Sequence, residues 1–314
     1  MFSLLGGVFL GWSLGSNDAS NVFGTAVSSR MLKFWTAAVL ASIFVVTGAI
    51  ISGHAGIETL KGLTSISLDQ AVISSVAAAV TVSIMTVLRL TVSTSQAVVG
   101  ALMGIGILNN QINLSGLGKV VACWVGTPAG ALIISIPLYY VAAAIYNRLN
   151  MNLFRADSML RFGLVAAGSY GAYALGANNV ANVTAVFVGA GLITIFLATL
   201  IGGVSIALGI LTFSKPVMET VGKKLVNLDP FSAFVVVLAE AITVHIYTII
   251  GVPVSTSQAV VGAVIGIGIV KGVNTVSKKT LKNILMAWFL TPVVSCFHAI
   301  LIDFAYNLHY IPPQ

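Results

Sequence analysis

Val92-Ser93-Thr94-Ser95-Gln96-Ala97-Val98-Val99-Gly100-Ala101 occurs a second time, unchanged, as Val254 to Ala263, 162 positions later. The likeness extends to 14 identical residues of the 16 from Val92 to Ile107. Three further pairs follow in the same order. Gly15-Ser16-Asn17-Asp18-Ala19-Ser20-Asn21-Val22 is matched by Gly176-Ala177-Asn178-Asn179-Val180-Ala181-Asn182-Val183. Glu58-Thr59-Leu60 is matched by Glu219-Thr220-Val221, and Trp124-Val125-Gly126-Thr127-Pro128 by Trp288-Phe289-Leu290-Thr291-Pro292. All offsets lie between 161 and 164. Unrelated segments do not repeat four motifs in register, so the chain is an internal duplication. Its halves are 1–150 and 151–314, joined through the polar stretch Asn147 to Arg161.

The sequence around these motifs is apolar. Hydrophobic residues make up 58% of the 314 and charged residues 7%, with a mean hydropathy of +1.03. A soluble chain carries roughly 25% charged residues, so most of this one does not face water. Each half reads as five crossings: 2–27, 34–53, 69–89, 92–107 and 119–147, then 162–188, 195–213, 230–250, 254–270 and 284–308. An odd number per half turns the second copy upside down relative to the first. The basic residues test this. One side receives 13 of the 15 Lys and Arg, the other only Lys61 and Lys119. Cytoplasmic loops collect Lys and Arg, so both termini are expected outside the cell (plasma or inner) membrane. The expected fold is an all-α integral membrane protein of two inverted-topology repeats, about five transmembrane segments each. Broken or half helices are expected to meet near the membrane midplane. Met1 to Leu14 has no basic start and no small-residue cleavage site, unlike a secretory signal. The net charge of +7 does not indicate nucleic acid, because no basic run with interleaved aromatics exists. Cys123 and Cys296 sit inside apolar segments, as small buried hydrophobes do.

The repeated Ser-x-x-Gln opens a helix in each half. As a capping box, the Ser hydroxyl accepts from a first-turn N–H and the Gln reaches back to the Ser backbone. The helix from Ser93 to Leu108 spans about 24 Å at 1.5 Å per residue, short of the ~30 Å hydrocarbon layer. One end is therefore expected inside the membrane. A buried helix start with free N–H groups and hydroxyls is an anion site. Two such starts facing each other would grip an oxyanion from both sides. Ser93, Thr94, Ser95 and Gln96 with Ser255, Thr256, Ser257 and Gln258 are the candidate anion-binding residues. Capping alone, at the lipid headgroups, is the plainer reading; identity of all four residues in both copies exceeds what it requires.

Asn17, Asp18 and Asn21, with their copies Asn178, Asn179 and Asn182, form the second motif. Asn17 and Asn21 share a helical face with Asp18 beside them. Gly15 and Gly176 precede the clusters, where a helix break would free carbonyl oxygens. An ionisable residue inside a membrane is a functional candidate by default. Carboxylate, amide and carbonyl oxygens are what a hard monovalent cation seeks; interhelical hydrogen bonding is the alternative for the asparagines. No Lys or Arg lies within either motif. An anion entering low dielectric needs compensating charge, which helix dipoles and a co-bound cation would supply. This favours symport. Arg89, which has no basic counterpart at Gly251, is a possible one-sided gate or a topological anchor. Glu240, inside an apolar segment, reads as an acid that is protonated, paired elsewhere or cation-binding. His245 and His298 read as packing residues, Glu58 and Glu219 as solvated or structural, and Gly100/Gly104 and Gly262/Gly266 as close-packing pairs.

Together these motifs resemble the inorganic phosphate transporter (PiT) family, over nearly the whole chain. The family pattern is a duplicated Gly-Ala-Asn-Asp-Val-Ala-Asn and a duplicated Pro-Val-Ser-Thr-Thr/Ser-His/Gln; Gly15 to Asn21, Gly176 to Asn182, Val92 to Gln96 and Pro253 to Gln258 carry it here. The resemblance implies sodium- or proton-coupled phosphate uptake by alternating access, in a homodimer, without cofactors. It implies sodium as the coupling ion at Asp18, Asn21, Asn179 and Asn182. Phosphate would lie at the Ser/Thr/Gln helix starts with Asn17 and Asn178. Asn179 stands where the pattern has a second Asp, which puts ion identity and stoichiometry in question. Some relatives carry sulfate, and no residue separates the two anions. A passive channel would lack the paired sites. An intramembrane enzyme would need a partner acid that Asp18 lacks.

Overall fold

The computed structural model describes residues 2–63, 66–88, 92–225, 228–272 and 278–309. Among these residues the chain is helical. α1 (Leu5–Ser28), α2 (Phe34–Ser52), α3 (His54–Lys61), α4 (Leu68–Val87), α5 (Thr94–Leu108) and α6 (Leu114–Arg148) come from the first half. α7 (Leu153–Gly189), α8 (Ile195–Leu225), α9 (Pro230–Ile250), α10 (Thr256–Lys271) and α11 (Lys278–His309) come from the second. Six of them (α2, α4, α6, α8, α9 and α11) are long and apolar enough to cross a membrane. The ten expected crossings each correspond to a helix, and α3 is an addition. The outer faces are apolar: Val125, Ile133, Phe289 and Phe297 are exposed, as expected of side chains solvated by lipid tails rather than water.

α5 and α10 are 15 and 16 residues long, which gives about 23 and 24 Å. Both begin in the interior, where Ser93 to Gln96 and Ser255 to Gln258 are buried. The short helices therefore start among protein atoms, in the middle of the molecule.

Packing between the halves is reciprocal. α1 lies along α8, and α7 along α2 and α3; α5 packs on α11, and α10 on α6. Matched glycines make these crossings possible. A Cβ at Gly15 would meet Ile206 O, and one at Gly176 would meet Val45 O. Gly48 and Gly209 abut Tyr173 O and Trp12 O in the same fashion, and Gly100 and Gly262 abut Pro292 O and Pro128 O. Small residues let helix backbones approach where lipid gives no hydrophobic drive to associate. The expectation that Gly15 and Gly176 break their helices is overturned. α1 and α7 run through them unbroken, because the glycines serve as contact points with a crossing backbone. The halves differ after α2: the chain interrupts at Gly53 before α3, whereas α8 continues through Pro216.

Polar contacts gather at the two ends. At one, Arg161 Nη1 donates to Met31 O at 2.9 Å and Lys271 pairs with Asp229. At the other, Gln70 and Asn109 exchange two hydrogen bonds of 2.9–3.0 Å, and Asn113 Nδ2 donates to Gly62 O at 3.2 Å.

Candidate substrate site where the repeats meet

α1 and α7 carry their asparagine clusters into the interior, and the starts of α5 and α10 close over them. Asn17 Nδ2 donates to Thr86 Oγ1 at 2.9 Å, and its counterpart Asn178 Nδ2 donates to Thr248 Oγ1 at 3.1 Å. Asn178 also donates to Val252 O at 3.1 Å and accepts from Val254 N at 2.8 Å. Both of its amide hydrogens are committed, so its visible task is to pin the extended segment that leads into α10.

The two helix starts touch crosswise. Ser95 Oγ donates to Val254 O at 2.8 Å, and Ser257 Oγ donates to Val92 O at 3.4 Å. Across the halves, Asn21 Nδ2 donates to Thr256 Oγ1 at 3.0 Å and Asn182 Nδ2 to Ser95 Oγ at 3.2 Å. Thr94 Oγ1 points to Asp18 Oδ2 at 3.5 Å, and Ser255 and Ser257 share a 2.8 Å hydroxyl contact. Residues far apart in sequence thus form one buried cluster of hydroxyls and amides around the two helix starts. The first-turn N–H groups of those helices have no carbonyl of their own helix within reach.

The expected capping box closes only halfway. Ser93 Oγ accepts from Gln96 N, and Ser255 Oγ from Gln258 N, each at 3.3 Å. Gln96 Oε1 and Gln258 Oε1 do not reach back; both are buried and unpartnered. A complete box forms instead at Ser67 and Gln70, at the start of α4. The glutamines are therefore spare polar groups beside the two helix starts.

They are not alone. Asp18 Oδ1, Asn21 Oδ1 and Asn182 Oδ1 are buried without a hydrogen-bond partner, and Asp18 is only 3% exposed. Buried acceptors are normally satisfied, since each orphan costs on the order of 1–3 kcal/mol. A group of orphaned oxygens, one of them a carboxylate, is the donor set of a hard cation. Asn179, the counterpart of Asp18, accepts from Asn182 Nδ2 at 2.9 Å. The site therefore carries its negative charge on one side only.

Other expected residues fall elsewhere. Arg89 lies outside the described residues. Glu58 pairs with Lys61 on α3, and Glu219 is exposed on α8. His245 bonds Tyr170 at 2.7 Å and His298 bonds Thr81 at 2.8 Å, both packing roles. Glu240 is buried on α9, away from both helix starts in sequence, and makes no hydrogen bond.

Two residues are missing from the sequence reading, and a repeated pair had no task in it. Thr86 and Thr248 anchor the first asparagines; their equal distance before the Ser-Thr-Ser-Gln motifs was the available signal. Trp124 and Trp288 were visible as a repeated pair without a task. Their indole N–H groups are buried and unpartnered, and they line an apolar cavity of about 640 Å³ between α6 and α11 that reaches Gln96 and Gln258.

Known proteins share this architecture. A solved structure described as a sodium-dependent phosphate transporter superposes with a TM-score of 0.84 at 25% identity, covering 98% of each chain. A candidate phosphate permease of Methanocaldococcus jannaschii is 30% identical over 299 residues, covering 95% of this chain and 94% of its own. The sulfate permease CysP of Bacillus subtilis is 30% identical over 300 residues, covering 93% of this chain and 84% of its own. The sequence profile of the phosphate transporter family matches residues 14–299. A multi-pass helical protein matched over nearly its whole length in this way belongs to the phosphate transporter family.

Proposed function

We propose that the chain is a cation-coupled symporter of inorganic phosphate, with sodium as the coupling ion, working by alternating access in the cell membrane. One observation carries this reading. Two helix starts and a buried carboxylate share one cluster in which hydroxyl donors and orphaned acceptor oxygens lie together. Phosphate takes the first-turn N–H groups and hydroxyls of Thr94, Ser95, Thr256 and Ser257. Sodium takes Asp18, Asn21, Asn182 and, through its amide oxygen, Asn179. Among the described residues, no Lys or Arg is hydrogen-bonded to these side chains, so the two ions neutralise one another in low dielectric. Asn17 and Asn178 hold the walls through Thr86 and Thr248.

The reciprocal contacts and the split of basic residues support halves 1–150 and 151–314 as inverted repeats, with both termini outside. Residues assigned to one side of the membrane touch each other, as Arg161 and Met31 do. The site falls where the repeats meet, as in secondary transporters built this way.

Sulfate is the second reading, favoured by the likeness to CysP at the same identity as the phosphate relative. Uptake of radiolabelled phosphate into liposomes holding the purified chain, with and without an inward sodium gradient, tests the first. Phosphate entry that rises with the gradient and survives excess sulfate supports it. Entry that sulfate abolishes, with labelled sulfate taken up in its place, selects the second.

A further inference from the structure

The apolar cavity between α6 and α11, about 640 Å³, falls within the roughly 300–1,000 Å³ of small-molecule sites. Val121, Val125, Leu285, Phe289 and Val293 form its rim and are exposed on the outer surface, so it opens sideways toward lipid. Its inner end is different. Gln96 and Gln258 come from the starts of α5 and α10, Trp124 from α6 and Trp288 from α11. These pairs are repeat counterparts, at offsets of 162 and 164, so each half delivers one glutamine and one tryptophan to the same cavity. Oε1 of both glutamines and Nε1 of both tryptophans are buried and without a hydrogen-bond partner. Orphaned polar groups are costly where no water reaches them, yet these four gather in one place. The phosphate and sodium ligands proposed above do not include them.

The lining narrows what fits. Among the described residues, no Asp, Glu, Lys or Arg lines the cavity. A charged head would therefore enter low dielectric uncompensated, which excludes phospholipid heads and carboxylates. Water settles where several polar partners surround it, and these walls are mostly alkyl and aromatic. The orphans themselves set the head. Two amide oxygens require two donors, and two indole N–H groups require two acceptors. A single hydroxyl has one hydrogen and leaves a glutamine unpaired. Two hydroxyls supply two hydrogens and spare lone pairs for both indoles. Met103 and Leu117 continue the apolar wall toward the rim, where an alkyl chain would lie, and the sideways opening admits it from the bilayer.

We infer that this cavity binds an uncharged, single-chain lipid with a diol head, of the monoacylglycerol class. Its hydroxyls donate to Gln96 and Gln258 and accept from Trp124 and Trp288, and its chain lies between α6 and α11. α5 packs on α11 and α10 on α6, so the bound lipid touches both repeats at once, beside the two helix starts.

The test titrates the full chain in detergent with a monoacylglycerol brominated in mid-chain, which quenches tryptophan on contact. The reporter is W12F/W35F, which keeps Trp124 and Trp288. W12F/W124F/W288F keeps only Trp35, which is 64% exposed and reads bulk partitioning. Reporter quenching should saturate at about one lipid per chain and be reversed by unbrominated monoacylglycerol. Trp35 quenching should climb without a plateau. A brominated fatty alcohol, and phosphatidylcholine with the same brominated chain, should need about tenfold more lipid or beyond for half-quenching. Q96L/Q258L, added to the reporter, should shift the monoacylglycerol curve by a similar factor. Reporter quenching without a plateau, or none at all, overturns the site. Equal curves for the three lipids, or a glutamine variant that matches the reporter, overturn the diol head and with it the inference. If the glutamine variant does not fold, the three lipids compared on the reporter decide alone. Phosphate and sodium enter none of these readouts, so the lipid site and the transport reading fail independently.

Discussion

At the scale of the residue, one atom separates the two halves of the site: the carboxylate oxygen of Asp18 that Asn179 replaces with an amide nitrogen. The exchange is isosteric, and Asn179 shows that the fold accepts an amide in this environment. Asp18→Asn should therefore fold normally yet lose sodium-driven uptake by more than about tenfold, equivalent to ~1.4 kcal/mol or more of lost ion binding. Uptake in liposomes at several sodium concentrations checks this, and a sodium dependence equal to that of the wild type would remove Asp18 from the ion site. The glutamines belong to this scale too. The sequence offers them both as closers of a capping box and as anion ligands, and their unpartnered oxygens show that capping does not occupy them.

At the scale of the element, crossings and helix starts bear the strain. Gly176 presses on the Val45 carbonyl so closely that any Cβ forces a shift. Gly176→Ala should destabilise by about 1–3 kcal/mol, as overpacked cores do. Gly118→Ala, where a Cβ meets nothing within 4 Å, should be neutral or slightly stabilising, since Ala outdoes Gly in a helix. Thermal unfolding in detergent, followed by tryptophan fluorescence, compares the two. Asp229 caps α9 and pairs with Lys271. Burial pushes its carboxyl up, but Lys271 and Ser232 outweigh that and hold it down at about 2. A folded value below the unfolded one, about 4, means stability present above pH 4 and lost as pH falls through 2. Asp229→Asn keeps a good cap but loses the charge. It should melt earlier than the wild type above pH 4, by no more than about 1 kcal/mol because the pair is half-exposed. The gap should close as pH approaches 2. A gap that is constant with pH would show that the ion pair contributes nothing.

For the whole molecule, the reciprocal contacts make each half the scaffold of the other. α5 finds its packing partner in α11, and α10 in α6, so neither half completes the site alone. The proposed topology puts Asn110, after α5, and Gly272, after α10, on opposite faces of the membrane. Both positions are exposed. With Cys123 and Cys296 replaced by serine, single cysteines at 110 and 272 should react with a membrane-impermeant reagent from opposite sides. Labelling of both from outside intact cells would end the inverted arrangement.

The helix positions, the duplication and the candidate polar clusters were legible in the amino-acid order. Hydropathy and repetition are local in sequence, and the bilayer leaves an apolar chain few alternatives to helices. The contacts that make a site of those clusters were not legible. Asn21 meeting Thr256, and Asn182 meeting Ser95, join residues 235 and 87 positions apart. The same is true of Gly15 and Gly176, whose expected helix breaks became close backbone crossings, and of Glu240, whose lack of any partner appears only once the helices are packed. Hydrogen-bond satisfaction and backbone approach are properties of three-dimensional neighbours, so tertiary structure alone decided which polar groups hold the fold and which are left for ions.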